Sequence, residues 1–136
     1  PLVASSIWWS TPEGFDEAVA VFCNAVVAVE VKMSADKLLA RLKDIEQQLG
    51  RARSEGGPYL SRTIDLDIID YGLKVVKTEG LELPHPRAAF RRFVLLPLQE
   101  VAPRYHFPGI EHNLEALIAM APENRMRRSS LLIPWG

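Results

Sequence analysis

The sequence predicts an α+β fold, a ferredoxin-like sandwich in which helices pack on a mixed or antiparallel sheet. Two observations predict it. Runs rich in valine, isoleucine and aromatic residues are interrupted by one long amphipathic segment, in the order β-β-α-loop-β-β-α. The sequence also has 136 residues and an ordinary composition, the size of one domain with a real core, so residues 1–136 are read as a single domain.

Each element has its own signal. Residues 2–12, LVASSIWWSTP, combine β-branched and aromatic side chains and end at a proline, which predicts a strand. Gly14 and the acids around it mark a loop. Residues 19–31, VAVFCNAVVAVEV, are continuously apolar and valine-rich, the pattern of a buried strand. Ser34 is placed to cap a helix whose apolar face is Leu38, Leu39, Leu42, Ile45 and Leu49, and Gly50 is expected to stop it. RARSEGGPYLSR, at 51–62, reads as a polar, glycine-containing loop. TIDLDIIDYG, at 63–72, reads as a strand, and 73–83 as one or two shorter ones. Residues 83–103 predict a turn and then a short helix or coil, residues 113–120 a helix, and the last residues an irregular tail.

Bulk properties narrow the function. A net charge of −1 lacks the basic excess of a nucleic-acid-binding protein. The single cysteine, Cys23, excludes an internal disulfide and suits a reducing, cytoplasmic location. No apolar run reaches the length of a signal peptide or membrane span without charge or proline.

The chemistry concentrates around Asp65 and Asp67. On a strand these two carboxylates face the same way and repel. They are either solvent-facing edge residues or ligands for a divalent metal such as Mg²⁺, which takes oxygen donors and shares itself with substrate phosphates. Asp70 falls off the alternation and is not counted with them. Arg51, Arg53 and Arg62 precede the pair; His85, Arg87, Arg91 and Arg92 follow it. Guanidinium forks match phosphate oxygens, so together these groups read as a metal–polyphosphate site, although each arginine alone reads as a solvated surface residue. His85, between two prolines, is either a loop residue or a stiffened donor to phosphate. Lys43 and Glu46 lie on the polar side of the predicted helix and face solvent by default. No P-loop pattern is present.

These residues resemble a known family. R-x-R, then a loop, R-T-I-D-L-D-I-I-x-Y-G, and L-P-H-P-R-x-x-x-R-x-F-V-L-x-P-L-x-E-V-A-P are similar to 6-hydroxymethyl-7,8-dihydropterin pyrophosphokinase, a folate-pathway enzyme. The similarity extends to S-S-x-W-W-S-T-P, F-C-N-A-V and I-E-Q-Q-L-G-R, in the same order. It implies transfer of pyrophosphate from ATP to the pterin hydroxymethyl group. Asp65 and Asp67 would hold two Mg²⁺ ions. Arg53, His85, Arg91 and Ile68 would contact ATP, and Arg51 and Arg62 would close over it. Thr11, Pro12, Phe22, Asn24, Phe93 and Tyr59 would form the pterin pocket, and Glu46 matches a position beside it. The bottom-up alternative for Phe22 and Phe93 is core packing. The partners implied are ATP and the pterin, with no nucleic acid or membrane, for a monomer or weak homo-oligomer. The resemblance also shows departures. The family's first strand and helix have no counterpart here, Tyr59-Leu60-Ser61 replaces a Trp-containing approach to the loop arginine, and Arg92 adds a second charge beside Arg91. A degenerate relative that only binds nucleotide or protein, and a generic Mg²⁺-dependent nucleotidyl transferase, are the competing classes; the intact acidic pair disfavours the first, and Thr11, Pro12 and Asn24 the second.

Overall fold

Every ladder among the described residues is antiparallel, and with three α-helices these ladders give the α+β class the sequence predicts. The computed structural model describes residues 2–10, 22–54, 64–122 and 126–128, with the backbone alone at 51–54. It divides into two compact units, Pro1–Glu30 with Pro86–Gly136, and Val31–His85.

In the first unit, β1 (Leu2–Ala4) pairs with β4 (Val27–Val29), and β2 (Trp8–Ser10) lies between β3 (Phe22–Asn24) and β7 (Met126–Arg128). The first predicted strand is therefore two strands, for a local reason. Ala4 pairs with Val27 but Trp8 with Asn24, so residues 5–7 oppose only residues 25 and 26. That mismatch is a β-bulge. Ser5 closes it: its N–H donates to the Val26 carbonyl at 2.9 Å, and its hydroxyl accepts the Val26 N–H at 2.9 Å.

The apolar run at 19–31 is not one buried strand. Its described part forms β3 and β4, and Phe22, Val27 and Val29 are exposed. Valine content reports fit to a pleated surface, whether or not a second layer covers that surface. The tail is also not wholly irregular, since β7 pairs with β2, Trp8 opposite Arg128. Its sequence, Met-Arg-Arg, carries no apolar alternation, so ladder bonds to β2 define the strand and its own pattern does not.

Helices follow the predicted order. After a short 3-10 turn at Ala88–Phe90 come α2 (Arg92–Val101) and α3 (Leu114–Met120). Leu95, Leu98, Phe107, Leu114 and Leu117 are buried in this unit, each such side chain contributing roughly 1.5–3 kcal/mol of transfer free energy. Asn113 caps α3, its side chain accepting the Ala116 N–H at 2.9 Å. Glu100 ties α2 to the strands. Its carboxylate accepts the Ser6 N–H at 2.9 Å, the Ser6 hydroxyl at 2.6 Å and the Trp8 indole N–H at 3.0 Å. Ser6 lies in the bulge, which keeps its N–H out of the ladder and turns it to this use.

In the second unit, α1 (Ala35–Ser54) begins as expected: the Ser34 hydroxyl accepts the Lys37 N–H at 3.3 Å. It does not end at Gly50. The backbone there has no positive φ, which a glycine stop requires, and the helix runs on to Ser54. Leu38, Leu39 and Leu42 pack against a core of Ile68, Leu81 and Leu83, whereas Leu49 is 42% exposed. β5 (Val76–Lys77) and β6 (Glu82–Leu83) form a short hairpin, as predicted for 73–83. The predicted strand at 63–72 is absent from every described ladder, and its last residues form a turn with Gly72 at φ 56° and Leu73 at φ 61°. Strand-like sequence needs a neighbouring strand to become one, and no described segment supplies it. Among the described residues, no helix is long and apolar enough to cross a membrane.

Candidate active site

Residues 64–70 keep the alternation of a strand without its hydrogen bonds. Asp65 and Asp67 are exposed, Leu66 is half-buried and Ile68 is buried. Three anchors hold this segment. Ile68 sits in the core beside Leu81 and Leu83. The Glu46 carboxylate accepts the Leu66 N–H at 2.7 Å. The His85 N–H donates to the Ile69 carbonyl at 2.8 Å, which ties His85 by its backbone to the stretch carrying the acidic pair. Asp70 serves the following turn, its carboxylate accepting the Leu73 N–H at 3.1 Å. That use agrees with leaving it out of the pair.

The donor set suits a hard cation. Asp65 and Asp67 offer exposed carboxylate oxygens, the ligands Mg²⁺ prefers. Among the described residues, no group of three or more His, Cys, Asp or Glu gathers to hold a metal. A divalent ion held by this pair would leave most of its coordination to water and phosphate oxygens, as Mg²⁺ sites on substrate polyphosphates do. Ile68 commits its side chain to packing in the core. Arg51 and Arg53 lie on the last turn of α1, not in a loop, with their side chains outside the described residues. Tyr59 and Arg62 are also outside them.

The first unit carries the ring-binding candidates. Paired residues share a face of a ladder, so Trp8, Ser10, Phe22 and Asn24 lie on one side of the β2–β3 pair. The Asn24 amide donates to the Ser10 hydroxyl at 2.9 Å, and Phe22 is 57% exposed. Helix α2 packs on β2, β3 and β4 and brings Phe93 on its first turn. The Arg91 guanidinium lies 5.4 Å from the centre of the Phe93 ring, within cation–π range. Arg92 turns elsewhere: its guanidinium donates to the Ile118 carbonyl of α3 at 3.2 Å. The extra charge beside Arg91 thus serves packing of α2 on α3. Thr11 and Pro12 lie outside the described residues.

Two side chains have structural roles that their residue types alone do not signal, although both fall within the family-like segments. Glu100 has partners more than ninety residues away in the chain. Glu46 did leave a trace. It lies four residues after Leu42 and three before Leu49, at the border of the apolar stripe, where a carboxylate can reach a neighbour in the core. The fold also alters the acidity of Glu100. Burial by itself would raise its pKa, but the Ser6 hydroxyl and N–H, the Trp8 indole and Arg128 outweigh that and hold it below the usual value of 4.5.

Known proteins are similar to this chain. A family model described as 7,8-dihydro-6-hydroxymethylpterin-pyrophosphokinase matches residues 2–103. The chain is 40% identical over 101 residues to a Synechocystis protein named 2-amino-4-hydroxy-6-hydroxymethyldihydropteridine pyrophosphokinase, covering 74% of the chain and 50% of that protein. A protein of the same name from Porphyromonas gingivalis is 40% identical over 107 residues, covering 77% of the chain and 72% of the relative. The folic acid synthesis protein fol1 of Pneumocystis carinii is 41% identical over 102 residues, which is 74% of the chain but 13% of that longer protein. The chain thus spans half or less of the Synechocystis and Pneumocystis relatives.

Proposed function

The chain belongs to the 7,8-dihydro-6-hydroxymethylpterin-pyrophosphokinase family, and from that premise we propose that it transfers pyrophosphate from ATP to the hydroxymethyl group of 6-hydroxymethyl-7,8-dihydropterin, in folate biosynthesis. The observation that carries this reading is the exposed Asp65–Asp67 pair, held on a short segment by Glu46 and the His85 backbone.

The hydroxymethyl oxygen bonds to the β-phosphorus of ATP. The bond from that phosphorus to the α–β bridging oxygen breaks, AMP leaves with the oxygen, and the hydroxyl proton passes to water. Such a transfer needs positioning and charge neutralisation more than covalent chemistry from the protein. Asp65 and Asp67 hold the metal, in this proposal two Mg²⁺ ions, which when bound neutralise and orient the phosphates. Arg53, His85 and Arg91 grip phosphate oxygens, the backbone at Ile68 meets the nucleotide, and Arg51 and Arg62 close over it. Phe22 and Phe93 flank the flat heterocycle, with Tyr59, Thr11 and Pro12 completing the pocket, and Asn24 both donates and accepts at the ring edge. Arg91 against the Phe93 ring couples a phosphate-holding group to a ring-holding one. We take residues 1–136 as one cytoplasmic domain of ferredoxin-like type, monomeric or weakly self-associating.

The test is AMP released from ATP in the presence of Mg²⁺, with and without the hydroxymethyl dihydropterin. Pterin-dependent AMP is the expected result. AMP release that ignores the pterin, or its absence under both conditions, overturns the proposal.

A further inference from the structure

We infer that Glu46 is a positioning residue for the metal-binding pair, acting on Asp65 and Asp67 through the backbone between them. The inference rests on the reading of that pair as the Mg²⁺ site. Two mutually repelling carboxylates sit on a segment that belongs to no described ladder, so sheet hydrogen bonds do not fix their directions. Ile68 anchors one end of the segment by burial, and the His85 N–H fixes the carbonyl of Ile69. Both anchors lie after Asp67. Between the aspartates the segment is held by the 2.7 Å bond from the Leu66 N–H to the Glu46 carboxylate.

That bond has the length of a strong, charge-assisted one. It orients the peptide plane joining Asp65 to Leu66, and so contributes to the direction of the Asp65 side chain relative to Asp67. Glu46 is half-buried on a helix, a rigid platform for this task. It is not a third ligand, because no group of three acidic, His or Cys side chains among the described residues gathers to hold a metal. Its action is therefore on the position of the ligands. Outer partners of this kind typically change metal affinity by about 10- to 100-fold when removed.

The test measures Mn²⁺ affinity calorimetrically, with a non-hydrolysable ATP analogue present, for Glu46→Ala, Glu46→Gln, Glu46→Asp and, as reference, Asp67→Ala. Gln keeps an acceptor oxygen at the same reach; Asp keeps the charge but is one methylene too short. Glu46→Ala and Glu46→Asp are expected to weaken Mn²⁺ about tenfold, with Glu46→Gln near the native value and the KM for the pterin unchanged in all three. Hydrogen exchange of the Leu66 amide is expected to accelerate in the Ala and Asp variants and to stay slow in the Gln variant. If Gln and Ala lose affinity equally, Glu46 acts by charge alone and the positioning role is wrong. If Asp67→Ala loses Mn²⁺ while every Glu46 variant keeps it, the inference fails and the metal reading stands. If Asp67→Ala itself binds Mn²⁺ normally, the metal reading fails and takes this inference with it.

Discussion

Asp67→Ala isolates the chemistry at a single residue. It removes one carboxylate oxygen donor and, with it, the repulsion from Asp65, so turnover should fall by at least about 100-fold while the melting temperature holds or rises slightly. Near-native kcat in that variant would show that the pair does not hold the metal. Glu100 makes a different prediction. Its folded pKa is lowered, so its stabilising contribution is complete above the unfolded carboxylate value and is lost as pH falls through the lower folded one. Thermal melts should therefore find Glu100→Gln less stable than the native chain at pH 7, with the gap narrowing as pH falls below about 4. A gap that stays constant as the solution is acidified would contradict this. Such residues also show what the sequence discloses. Asp65, Asp67 and His85 could be picked out because their types and spacing are chemically unusual. Glu46 and Glu100 have ordinary types, and their importance lies in backbone N–H groups brought to them from 20 and 94 residues away.

Helix α1 shows the same division among elements. Its start and its apolar face follow from Ser34 and the leucine spacing, which are local. Its end does not, because a glycine stops a helix only if its backbone turns left-handed, and Gly50 stays helical. Nothing lies within 4 Å of where a Gly50 Cβ would stand. Gly50→Ala should therefore stabilise the protein by about 0.5–1 kcal/mol in chemical denaturation. Destabilisation would mean that the helix breaks there. The segment at 64–70 errs in the opposite direction: its apolar alternation is right, but strand formation depends on a partner that a local pattern cannot specify. Arg51 and Arg53 move from an expected loop onto a helix for the first of these reasons.

At the scale of the whole molecule, the proposed metal ligands are separate from the residues that hold the fold together. In the proposed assignment the metal ligands are two exposed carboxylates, and among the described residues the buried apolar side chains lie in cores that do not depend on them. Chelation of divalent ions should abolish AMP formation yet shift the melting temperature by no more than a degree or two, roughly the experimental resolution of a change well under 1 kcal/mol. A large drop would assign the ion a structural role. The α+β class was legible in the sequence because it needs only the order of elements; the division into two units was not, because it depends on contacts between distant residues. One small feature constrains how such a molecule can vary. The three residues opposing two at Ser5 and Ser6 free the Ser6 N–H and hydroxyl, and through Glu100 these fix the helix that carries Phe93. Among homologous chains, that stretch is expected to accept changes of residue type at Ile7 while resisting insertions and deletions, so a length difference there would mark a chain whose Phe93-bearing helix has been set at a new angle.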